Sequence, residues 1–290
     1  MTRKLREIFL VAFMTVLVCG LVWAVAELSG QSNKSAADAG SSAADMEMAT
    51  LDPIKPSTEA TGDANKETAI RNKIMKADNA YKSKLAQAKS ETNSKGKVSP
   101  GTRDAGMTAA RQYKAANDEY AAYWDSQKCG SRAQLAREVG ESRMKSAEMA
   151  FNDVSSDKVN AYNKQQDRVR TAQKAYFKDA KKDVSESDRA AIKSGVTPRL
   201  KKIGGDLTTL LSTVTGLLNQ VQQQVGGSMN FSPSGIGGCA QKMVSEGPSS
   251  VTAAAPEGVA ELLSPLKSML SLVQSMSGNV TGMISDINSL

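Results

Sequence analysis

Residues 259–290 read VAELLSPLKSMLSLVQSMSGNVTGMISDINSL. Val259, Leu262, Leu266, Met269, Val273, Met276, Val280, Met283, Ile287 and Leu290 recur there in alternating steps of three and four. A helix turning every 3.6 residues brings such positions into one stripe, whereas a strand needs a period of two. Taking Val259 as position a, the a set is Val259, Leu266, Val273, Val280 and Ile287, and the d set is Leu262, Met269, Met276, Met283 and Leu290. Leu263, Leu270 and Ile284 fall at e and widen the stripe.

An upstream segment repeats the pattern with Ile203, Leu207, Leu210, Val214, Leu217 and Val221. The other faces of both segments are Ser, Thr, Gln, Asn and Gly, almost without charge. A solvated two-stranded coil carries Glu and Lys at e and g, so these helices are predicted to bury more than one narrow seam. The simplest arrangement is a helical hairpin over 203–290, joined by the Gly/Ser-rich connector 226–256. The a and d residues from Val259 to Leu290 are then a candidate self-association seam. Insertion of the pair into a membrane is the alternative, although a lysine-rich polar face and aromatic anchors are lacking.

The rest of the chain extends this all-helical reading. The 290 residues are only 4% aromatic, and aromatic or β-branched runs at sandwich spacing do not occur. Ile70, Ile74, Ala77, Tyr81, Leu85 and Ala88 mark a helix starting near Asp63. Ala109, Tyr113, Ala116, Tyr120 and Tyr123 mark a second, ending in the aromatic patch Tyr120–Trp124, which reads as a core plug. Cys129-Gly130 breaks the chain. Ser131 with Gln134 predicts a capping box for a long helix reaching about Lys182, with an interruption near 152–157. Another helix starts near Ser185, and Pro198 is expected to kink or split it. The fold class is therefore all-α: an elongated antiparallel bundle or coiled coil over 66–202, with the heptad hairpin behind it.

The N-terminus reads as an address. Arg3, Lys4 and Arg6 precede a run from Ile8 to Ala26 without a single charge. Nineteen residues rise about 28 Å as a helix, close to the thickness of a bilayer core. The run suits an uncleaved anchor, yet Ala24-Val25-Ala26 has the A-x-A form of a signal-cleavage site. Residues 1–26 are thus a signal peptide or a membrane anchor, and either places the remainder outside the cytoplasm. Residues 27–65, rich in Ser, Ala, Asp, Gly and Thr, show no apolar period and read as a disordered linker.

Residues 66–204 hold 30 Lys or Arg against 17 Asp or Glu, so the chain's excess of positive charge sits in its middle. Interspersed signs and few aromatics make this a solvated surface first, an anionic-polymer surface second, and argue against nucleic acid. Beyond the apolar run the cysteines are Cys129 and Cys239, each beside glycine, which predicts a disulfide in an exported chain. The chain has no histidine, which removes Ser-His-Asp, Cys-His and imidazole-metal chemistry. Neither a catalytic residue nor a cofactor or metal site is predicted. The functional expectation is an exported, non-enzymatic structural or assembly protein of the envelope, such as a secretion or pilus accessory, partnered by itself or by another helical envelope protein. A membrane-active effector and an adaptor for anionic polymers are the alternatives.

Overall fold

The computed structural model describes the backbone of residues 3–51, 64–95, 97–152, 154–183, 185–226 and 262–289, and their side chains except at 3–26, 64, 93–95, 180–183, 188 and 223–226. Seven α-helices account for nearly all of it: α1 Arg3–Leu51, α2 Ala64–Lys95, α3 Pro100–Ser126, α4 Gly130–Phe151, α5 Ser156–Asp183, α6 Glu186–Gly226 and α7 Leu263–Asn288. The all-α expectation holds, and the helices form a bundle. Among the described residues there is no strand.

The largest departure from the sequence reading lies in 27–51. The stretch expected as a linker continues α1 without a break and packs into the bundle. It packs on α2, α4, α6 and α7. Ser35, Ala36 and Ala37 are buried in succession, as are Ser42, Ala43 and Ala44. Most of the helix surface is buried in this way, and the half-buried Gln31, Lys34, Asp38, Ser41, Asp45 and Met48 form one stripe left toward solvent. Small residues on the buried faces let the neighbouring helices approach closely. At Gly40 an added Cβ would lie 2.7 Å from the Ala150 Cβ on α4 and 3.2 Å from Leu85 Cδ2 on α2. Alanine also supplies the strongest intrinsic helix propensity. Residues 52–63, the second half of the expected linker, lie outside the described residues.

Facing pairs fix the helix directions. Asp38 and Asp45 on α1 meet Lys89 and Lys82 on α2, so the two run antiparallel. Lys73–Glu119 and Glu91–Thr102 set the same relation for α2 and α3, and Arg137–Asp125 with Lys114–Glu141 for α3 and α4. Gly204 on α6 lies beside Val280, while Leu217, Leu218 and Val221 cluster with Leu266, so α6 and α7 are antiparallel. Leu28 joins that second cluster, and Thr50 reaches Met283. Hence α1 runs parallel to α7, and the end of the bundle where α1 enters also holds the end of α6 and the start of α7.

Three local expectations change. The capping box at Ser131 does not form, because α4 starts earlier, at Gly130, with Cys129 as its N-cap and no side-chain cap bond. The expected interruption near 152–157 separates α4 from α5. Pro198 does not split α6, which runs on through it. Buried Val196 and Leu200 on either side hold that turn in the core, offsetting the roughly 3 kcal/mol an interior proline costs. The boundary drawn at 202/203 therefore falls inside one helix, and residues from both sides of it share one core.

Among the described residues no helix is long and apolar enough to cross a membrane. That statement does not reach the side chains of the run 8–26, which lie outside the described set. The cleavage-site residues Ala24 and Ala26 fall there too, with their backbone in α1.

Candidate functional site

The C-terminal seam is the first site the sequence singles out. Leu266, Met269, Val273, Met276, Val280, Met283 and Ile287 are all buried, and Leu262 is half-buried. Val259 and Leu290 lie outside the described residues. Their partners are the chain's own helices. Ile203, Leu207, Leu210 and Val214 of α6 share a core with those from Met269 to Ile287, as do Ala36, Ala39, Ala43 and Met46 of α1, while Leu266 clusters with Leu28 and the end of α6. The seam expected to bind another copy is thus filled from within. The sequence reading missed α1 as the third member: α7 packs on α6, α5 and α1 rather than on α6 alone. Leu272, Ser268 and Asn279, outside the a and d sets, are buried for the same reason.

The second site was not expected. Arg143 on α4 has none of its side chain exposed. Its Nε donates to Glu47 Oε2 on α1, and its Nη2 donates to Asp78 Oδ1 on α2 at 2.8 Å. Ser142 Oγ donates to the other Glu47 oxygen at 2.7 Å, and Gln166 on α5 donates to Ser142 Oγ at 2.6 Å. One guanidinium and two carboxylates tie α1, α2 and α4 together, and the Gln166–Ser142 bond adds α5. The guanidinium carbon lies 3.8 Å from the Tyr113 ring centroid and 4.6 Å from that of Tyr81. Burial alone would lower the Arg143 pKa, but the Glu47 and Asp78 carboxylates hold it above the ordinary arginine value. Burial pushes the Tyr81, Tyr113 and Tyr162 hydroxyls above the usual phenol range, so they stay protonated.

A second buried arginine repeats the device three turns earlier on α4. Arg132 lies 3.7 Å above the Trp124 ring centroid. Its Nη2 donates to Tyr120 Oη at 3.0 Å, and that hydroxyl donates to Glu67 Oε1 at 3.0 Å. The aromatic patch is therefore interior, with Tyr120, Tyr123 and Trp124 all buried and packed edge to face. Eleven residues separate the two arginines, which places them on one face of α4. The signal was present in the sequence: Arg132, Ala136, Val139, Arg143 and Ala147 continue a single three-four stripe.

Both clusters are closed to solvent at their charged centres, so they position helices rather than meet a substrate. Cys129 is half-buried at the start of α4, where its Sγ contacts the Gln127 carbonyl at 3.5 Å. Cys239, its expected partner, lies outside the described residues. Among the described residues, no group of three His, Cys, Asp or Glu side chains could hold a metal ion. No known protein family, no curated protein and no solved structure matches the chain.

Proposed function

We propose that the chain is an exported, non-enzymatic scaffold, held at a membrane by residues 8–26 and presenting a rigid helical body outside the cytoplasm. One observation carries this reading. The helix that carries the apolar run is the same helix that packs on α2, α4, α6 and α7 in the bundle. Twenty-five residues of α1, 27–51, span about 37 Å inside the body. A load applied to the body would reach the membrane segment through one helix braced by α2, α4, α6 and α7, with Glu47 locked to Arg143. That is the construction of a fixed strut.

The seam of α7 serves the interior in this reading, so association with another copy or another helical envelope protein uses the outer faces. Entry of α6 and α7 into a membrane would first require stripping them from α1 and α5.

The test is a reporter enzyme fused after Leu290, combined with alkaline extraction of membranes. The proposal expects reporter activity only outside the cytoplasm and a full-length chain that resists extraction. Cytoplasmic activity, or a chain recovered in the soluble fraction beginning at Glu27, would remove the anchored scaffold.

A further inference from the structure

We propose that a groove between α5 and α7 binds the phosphate of an anionic lipid headgroup. The groove has a volume of about 480 Å³ and no carboxylate in its lining. Its polar lining is Ser156, Asn160, Ser264, Lys267, Ser268 and Ser271. Ser268, buried, meets Ser156 Oγ at 3.0 Å and closes one side. Hydroxyls and an amide around one ammonium form a donor set matched to phosphate oxygens. Val159 and Leu263 complete the lining and give it an apolar component, as suits a ligand whose charged head is joined to hydrocarbon.

Two further observations bear on the ligand. Lys267 makes no ion pair among the described residues. The other charged residue of α7, Asp286, sits at the far end of the helix near Arg170 and Lys174. Among the described residues Lys267 is therefore a cation without an ion-pair partner, in a helix otherwise nearly free of charge. The second observation is position. Leu266, its neighbour, packs in one cluster with Leu28, two residues beyond the end of the apolar run. If residues 8–26 span a bilayer, the groove sits at headgroup level. The proposal rests on the anchored reading for that placement. An anionic headgroup gathered there would add a second, electrostatic hold beside the apolar one.

The test uses the full chain purified in an uncharged detergent, so that headgroup binding and membrane insertion are scored separately. The chain is titrated at constant ionic strength with dioctanoyl phosphatidylglycerol, with dioctanoylglycerol, which has the same chains and no phosphate, and with inorganic phosphate. Thermal midpoint is the readout. The proposal expects a rise with phosphatidylglycerol and none with dioctanoylglycerol. Lys267→Gln should weaken the response about tenfold, as expected for loss of one charge-assisted contact. Ser271→Asp should weaken it too, by placing a carboxylate in the groove. Lys201→Gln, which removes an exposed charge at the other end, should leave it unchanged. An equal response to dioctanoylglycerol, or an undiminished one in Lys267→Gln, would overturn the proposal. A response to inorganic phosphate alone would assign the groove to a soluble anion and overturn the lipid headgroup.

Discussion

Glu47 on α1 and Arg143 on α4 form an ion pair with essentially no exposure on either side chain. They are 96 residues apart in sequence. A buried pair of this kind contributes little net stability against an apolar substitute of similar shape, but breaking it from one side costs about 3–5 kcal/mol. Its value is in specifying which helices meet. Glu47→Ala should therefore lower the stability of the purified chain by that amount in denaturant titration. Glu47→Leu combined with Arg143→Met should recover most of the loss, because it leaves no lone charge. A Glu47→Ala variant as stable as the parent would show that α1 does not dock where described.

Close approach of α1 to α4 and α2 gives an independent check. The space at Gly40 is closed by Ala150 and Leu85, and overpacking in a core costs about 1–3 kcal/mol. Gly40→Val should lower the thermal midpoint, whereas Gly101→Val, where a Cβ would meet nothing, should change it only slightly. Equal tolerance at the two sites would contradict the packing of α1 on α4 and α2.

The C-terminal seam makes a parallel prediction. Val273 is fully buried in the core shared by α1, α6 and α7. An aspartate there has no basic partner at hand and should cost at least about 3 kcal/mol. Gln274→Asp, one residue on and exposed, should cost little. Light scattering decides what the seam serves: a destabilised Val273→Asp with unchanged mass marks an interior role, and a halved mass marks an interface between copies.

Acid should weaken the α2–α3 corner. Glu91 accepts from Thr102 Oγ1 at 2.6 Å and from the Ser99 amide at 2.7 Å, which hold its pKa down at about 2. A carboxylate depressed below its unfolded value of 4.5 stabilises the fold at any pH above that value. That contribution is lost as pH falls from about 4.5 through about 2. Thermal midpoints measured across this window should drop for the parent and drop less for Glu91→Gln. Parallel curves for the two would show that the corner is not formed.

Legibility in the sequence followed burial on one side. Helices with one apolar stripe and one wet face were readable, and Tyr113, Tyr120, Val273 and Met276 all lie where their spacing puts them. The buried arginines of α4 were readable in principle, but polarity masked their place in the stripe. Residues 27–51 were not read as a helix, because alanine, serine and glycine fill most of the buried face and leave no apolar stripe to see. These small residues look like a linker until the helices packed on them are known. The spacing likewise placed α7 against α6 but gave no sign that α1 packs on the same seam.

Hydrogen exchange of the full chain reconstituted in bilayers tests the central claim most directly, namely that the apolar run and the core of the body are one continuous helix. The account predicts slow amide exchange without a gap from residue 8 to residue 51. A fast-exchanging stretch anywhere between Glu27 and Met46 would mean that a flexible joint separates the membrane segment from the bundle, and the strut would be contradicted.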